Sequence, residues 1–218
     1  MQVAIVLYEG FTALDAVGPY EVLSRLPGTE AVFVAEQRGP VRNDTGSLLL
    51  TAEATLDEVP RPDVLLVPGG PGQATQMSDE PVLAWLRSAD RASTWTTSVC
   101  TGSLILAAAG LLTGRRATTH WLAISQLPPL GAIPVDARVV IDGKYVTGAG
   151  VSAGIDLALT LAGRIAGDDM ATAIALGIEY DPQPHYAGTP GKAPAHVVAR
   201  LRSGSRHLQA GSVSPDGG

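Results

Sequence analysis

The residues most able to do chemistry cluster around the only cysteine of this 218-residue chain, in the stretch Thr94-Trp95-Thr96-Thr97-Ser98-Val99-Cys100-Thr101-Gly102-Ser103. An extended β-branched run stops at Cys100, and a helical run, Ser103 to Gly110, begins at once. That pattern predicts a strand, a sharp turn and a helix start, with the thiol held beyond the end of a sheet. Unpaired N–H groups of the first helical turn favour thiolate over thiol in such a place. The arrangement is a sulfur version of the nucleophile elbow, although the G-x-S-x-G spelling is absent. Asp15, after the first apolar run, falls at the same sheet edge and by itself can be a carboxylate that merely stabilises a helix N-terminus. Pro68-Gly69-Gly70-Pro71-Gly72 is a loop whose amides can approach a ligand closely and stabilise developing negative charge, or a plain tight turn. It is no phosphate loop, because the Lys-Ser/Thr pair is missing. His120 closes another β run and could act as a base or be a packed, hydrogen-bonded residue.

The elements that position these groups follow from hydrophobic periodicity. Val3 to Tyr8 reads as a strand buried on both faces. Phe11 to Leu26 approximates helical spacing, with Gly18-Pro19 expected to split off a short first turn. Ala31 to Glu36 is a second strand, Gly39 to Asp44 a turn, and Ser47 to Ala54 a smaller β element. Asp63 to Val67 is a buried strand and Glu80 to Arg91 a helix. Arg116 to His120 is expected to be a strand, and Trp121 to Leu127 a short helix. Val135 to Val146 holds two β runs around the hairpin dipeptide Asp142-Gly143. Ile155 to Ala162 and Asp169 to Tyr180 read as helices, and His196 to Arg202 as a short one, with 203–218 a disordered tail. Alternating strands and helices imply a mostly parallel sheet with helices on both faces, and ligands in such folds sit beyond the carboxyl ends of the strands. Asp15, Gly69-Gly70, Cys100 and His120 all fall at that edge.

Composition narrows the function classes. With 45% hydrophobic residues and no Pro/Gly/Ser-rich linker, the chain is expected to fold as one domain. A formal charge of -6 without a basic cluster argues against nucleic acid or an anionic membrane as partner. One cysteine excludes an intramolecular disulfide. There is no signal-peptide pattern and no apolar run of about 18 residues, so a cytoplasmic protein is expected. His185, His196 and His207 lack metal-ligand spacing. Tyr8, Trp121, Ile155 and Tyr180 are candidate pocket walls or ordinary core residues.

Taken together, Ala13-Leu14-Asp15-Ala16-Val17-Gly18-Pro19, Pro68-Gly69-Gly70-x-Gly72, Ser98-Val99-Cys100-Thr101-Gly102-Ser103 and Arg116-Ala117-Thr118-Thr119-His120-Trp121 resemble the ThiJ/PfpI superfamily, and within it the isocyanide hydratases. The likeness runs from about residue 2 to residue 200. It implies a single ThiJ/PfpI-like (class I glutamine amidotransferase-like) domain over 1–200, a flavodoxin-like doubly wound α/β fold, and a homodimer. It also implies Cys100 as nucleophile and Asp15 as the acid facing it. The residue types suit that reaction: a thiolate adds to the terminal isocyanide carbon, Asp15 protonates the same carbon, and water attacks the thioimidate to release an N-substituted formamide. The substrates are the isocyanide and water, and no metal or organic cofactor is needed. Thr101 contributes a hydroxyl for substrate or water. The amides of Gly70 and Thr101 would polarise the reacting group, with Gly69 and Gly72 shaping the loop.

Superfamily peptidases place histidine directly after the cysteine, where this chain has Thr101. AraC-type regulators carry a domain with similar segments, followed by a helix-turn-helix region of roughly a hundred residues that this chain is expected to lack. A ligand-binding or redox-sensing relative remains open, since an exposed low-pKa thiol also oxidises readily. Glyoxalase-like hydration of small aldehydes is a further alternative, although those enzymes generally use glutamate at the position of Asp15.

Overall fold

In the computed structural model, which describes residues 1–204, a seven-stranded sheet forms the centre. The elements in chain order are β1 (Gln2–Val6), α1 (Ala13–Leu23), β2 (Glu30–Ala35), β3 (Gly39–Arg42), β4 (Leu49–Ala52), β5 (Ala54–Thr55), β6 (Val64–Val67), α2 (Gln73–Gln76) and α3 (Glu80–Ala92). There follow β7 (Trp95–Val99), α4 (Gly102–Ala108), β8 (Arg116–Ala117), β9 (Ile133–Pro134), β10 (Val139–Asp142), β11 (Tyr145–Gly148), α5 (Ala153–Ala166), α6 (Asp168–Gly177) and α7 (Ala195–Gly204). The sheet order is β10-β11-β7-β6-β1-β2-β5. Every pairing is parallel except β10 with β11, the hairpin around Asp142-Gly143.

The central strands are continuous apolar runs because both of their faces are covered. Val3, Ala4 and Ile5 of β1 and Val64, Leu65 and Leu66 of β6 are fully buried. One helix layer holds α1, α5 and α6, in which α1 packs on α5 and α5 on α6; in the other, α2 and α3 pack on α4. This is the mostly parallel, doubly covered sheet that the sequence pattern implied.

Several expectations are corrected. Gly18-Pro19 does not interrupt the first helix: α1 is continuous with Pro19 inside it. Packing overrides the missing N–H, because Gly18 lets Ile155 of α5 approach and Gly154 receives the Pro19 ring. The turn-rich stretch from Gly39 supplies β3, which pairs antiparallel with β4. The run Arg116 to His120 gives only the two-residue β8, paired with β9 outside the main sheet. The sheet edge beside β11 is already taken by β10, so the run lies alongside and ties itself in through Thr118 N–H, which donates to Thr147 Oγ1 at 2.9 Å. Instead of a helix from Trp121 to Leu127 there is a single 3-10 turn, Ile124–Gln126. The helix expected near His196 is α7, which runs through Ser203 and Gly204; the remainder of the expected disordered tail, 205–218, lies outside the described residues.

Candidate active site

Four adjacent parallel strands, β11, β7, β6 and β1, end at one edge, and the segments leaving them converge on Cys100. At Cys100 the chain adopts φ 56°, a left-handed conformation that a residue with a Cβ rarely takes. The strained turn is held through its backbone. Cys100 N–H donates to the Gly148 and Ala149 carbonyls at 3.1 and 2.9 Å, and its carbonyl accepts from Ser103 Oγ at 3.2 Å and Thr119 Oγ1 at 2.9 Å. Gly102 is demanded by the same turn, since a Cβ there would stand 2.1 Å from the Val67 carbonyl oxygen. The expected nucleophile elbow is therefore present in geometry.

Asp15, in the first turn of α1, is fully buried. Its Oδ2 accepts the Gly69 N–H at 2.9 Å, and Oδ1 is buried without a conventional hydrogen-bond partner among the described residues. The carboxyl's other polar neighbour is the Cys100 thiol, whose titration is coupled to its own. Burial raises the Asp15 carboxyl to about 7, against the opposing pull of the Gly69 N–H and the thiol. Burial also pushes the Cys100 thiol up, the Asp15 charge pushes it further, and the N–H groups of Val151 and Thr101 pull it back. The helix N-terminus thus does not lower the thiol's pKa as the sequence suggested, because α4 is only seven residues long and desolvation outweighs it. Two like charges cannot both be held here, so the pair keeps at least one proton between carboxyl and sulfur.

The remaining residues divide. Thr101 is buried, and its Oγ1 accepts the Gly70 N–H at 3.0 Å, which engages the Gly70 amide. Gly69 lies so close that a Cβ would meet Thr101 N at 2.5 Å and the Cys100 Cβ at 2.9 Å. Gly72 instead packs on the segment after β1, where a Cβ would stand 1.9 Å from the Glu9 carbonyl oxygen. Tyr8 is buried beside the pair: its hydroxyl donates to the Pro68 carbonyl at 2.8 Å, and burial, then Asp15, then Cys100 push the phenol upward. His120 reaches the site indirectly, packed on Gly150, where a Cβ would come within 2.7 Å of its ring; its Nδ1 accepts from Leu122 N–H at 3.2 Å. Trp121 is half-buried against the His120 ring, and half-buried Ile155 packs on Gly18. Tyr180 bonds elsewhere, donating to Asp156 Oδ2 at 3.0 Å. His185 stacks edge-on against Tyr186 and His196 lies on α7, while His207 falls outside the described residues. Val151, with φ 20° and an N–H on the sulfur, escaped the sequence reading, because it lies on a Gly-Ala-Gly-Val loop without a side-chain signal.

Residues 1–164 match the model of the DJ-1/PfpI family. The chain belongs to that family. It is 46% identical to isonitrile hydratase from Pseudomonas putida over 203 residues, which cover 93% of this chain and 89% of the relative. A ThiJ/PfpI family protein from Pseudomonas syringae superposes with a TM-score of 0.91 at 38% identity, covering 96% of this chain and 90% of the other. The HTH-type transcriptional regulator CdhR of Pseudomonas aeruginosa is 32% identical over 177 residues, but this DJ-1/PfpI chain spans only 52% of its length. Among the described residues no group of three His, Cys, Asp or Glu could hold a metal ion, and no helix is long and apolar enough to cross a membrane.

Proposed function

We propose that the protein is an isocyanide hydratase that converts an isocyanide and water into an N-substituted formamide. The observation that carries this reading is the buried pair: a carboxyl raised to about 7 beside the thiol of a strained elbow. Likeness to the Pseudomonas putida isonitrile hydratase supports it. With one proton left on the pair and resting on Asp15, Cys100 is a thiolate stabilised by the N–H groups of Val151 and Thr101. Its sulfur forms a bond to the terminal isocyanide carbon, and Asp15 delivers its proton to that carbon, leaving a thioimidate and a carboxylate. The carboxylate takes a proton from water as the hydroxyl adds to the carbon, then passes it to nitrogen. The C–S bond breaks as the new hydroxyl returns its proton to Asp15, so formamide leaves and both groups are restored.

Gly69 orients the acid, and Thr101 positions substrate or water, while Tyr8, Ile155 and Trp121 supply apolar walls. His120 has a packing role beside the elbow. A cytoplasmic homodimer completes the reading, because a lone functional thiol stays reduced there. Incubation with cyclohexyl isocyanide should yield N-cyclohexylformamide in wild type and none in Cys100→Ala. A wild type that binds the isocyanide without releasing formamide would refute the assignment.

A further inference from the structure

We propose that a cavity beyond the carboxyl ends of β1 and β2 is a second binding site, one that takes a small neutral molecule through an amide group. Its volume is about 340 Å³, within the range of small-molecule sites. Leu7, Ala35, Val41, Leu56 and Val82 give it apolar walls. Neither Cys100 nor Asp15 lines it; Tyr8 is the side chain common to both places.

One polar residue of the lining is mostly buried. Gln76, on α2, is only 8% exposed and lines the cavity, and its carboxamide makes no hydrogen bond to a described residue. Its amide atoms keep solvent contact, so a ligand in the cavity would replace water on them. A carboxamide presents an acceptor and two donors in one plane, so the edge of a ligand amide would satisfy it with a reciprocal pair of bonds.

Charge at the mouth selects against an anion. Arg38 is the one cation of the lining, and its Nε and Nη2 already donate to the Glu58 carboxylate at 2.9 and 2.8 Å. Its Nη1 is engaged by the Glu53 carbonyl. Glu9 and Glu36 then leave the rim acidic. A cation would be drawn to that rim but could not use the donors of Gln76. The fitting ligand is uncharged, with an amide at one end and an apolar body. An N-substituted formamide has this form, and its choice as ligand rests on the hydratase reading.

The test reads binding directly, without turnover. Wild-type protein titrated with N-cyclohexylformamide should show saturable NMR shifts at the Gln76 side-chain NH2 and at the amides of Leu7, Ala35 and Val82. Gln76→Leu should bind at least tenfold more weakly at an unchanged melting temperature, and cyclohexanecarboxylate or cyclohexylammonium should produce no such shifts. Shifts confined to Gly69, Thr101 and Val151, equal binding by either ion, or undiminished affinity in Gln76→Leu would overturn the proposal. Should that variant not fold, the wild-type shift map decides alone. Loss of the hydratase reading would show differently, as absent formamide production with amide binding intact.

Discussion

At the scale of single residues, Asp15 carries the largest consequences. As the proposed proton donor it has no substitute in an amide, so Asp15→Asn should lower formamide turnover about a hundredfold or more, while a folded protein still alkylates at Cys100. Near-normal turnover in a folded variant would remove Asp15 from the mechanism. Its titration also predicts how stability follows pH. The carboxyl has an ordinary pKa of 3.8 and is raised to about 7 in the folded protein, so between those values the native state holds a proton that the unfolded chain has lost. That contribution is complete below the lower value and disappears as pH rises through the upper one. Wild type should therefore lose melting temperature relative to Asp15→Asn from about pH 4 to about pH 8, and parallel curves would contradict a burial-raised carboxyl.

At the scale of elements, the elbow depends on glycine at the head of α4. A Cβ at Gly102 would meet main-chain oxygens, 2.1 Å from that of Val67 and 2.8 Å from that of Pro68, neither of which is the end of a flexible side chain. Gly102→Ala should cost about 3 kcal/mol, the upper end of overpacking losses, and displace the thiol. Gly177→Ala, with open space at the end of α6, is the control and should leave the denaturant midpoint unchanged or slightly raised. This element was legible in the sequence because a β-branched strand, Cys100 and a small-residue helix start are contiguous. The apolar runs of β1, β6 and β7 were equally plain. Less legible were the places where tertiary context decides. The two-residue β8 had strand character but found its sheet edge occupied by β10, and α1 runs through Pro19 because α5 packs against it. His120 was assigned to the right neighbourhood for the wrong reason: it reaches the elbow by resting on Gly150, not by ending a sheet strand. Val151 acts through backbone alone, which no side-chain pattern announces.

At the scale of the whole molecule, exposed apolar residues remain on the outer surface of the helix layer that covers Asp15. Leu14 of α1 is 42% and Leu176 of α6 79% exposed. The proposed homodimer would cover surface of this kind, and light scattering at micromolar concentration should return twice the chain mass; a monomer would refute it. The backbone anchorage of Cys100 has a different reach. Its peptide is tied on the amide side to Gly148 and Ala149 and on the carbonyl side to Ser103 and Thr119, so the backbone of Cys100 is held on both sides. Its amide should exchange with deuterium only through global opening, in step with core strands β6 and β7. Heat should then abolish activity and melt the sheet in one event, leaving no folded but inactive intermediate between them.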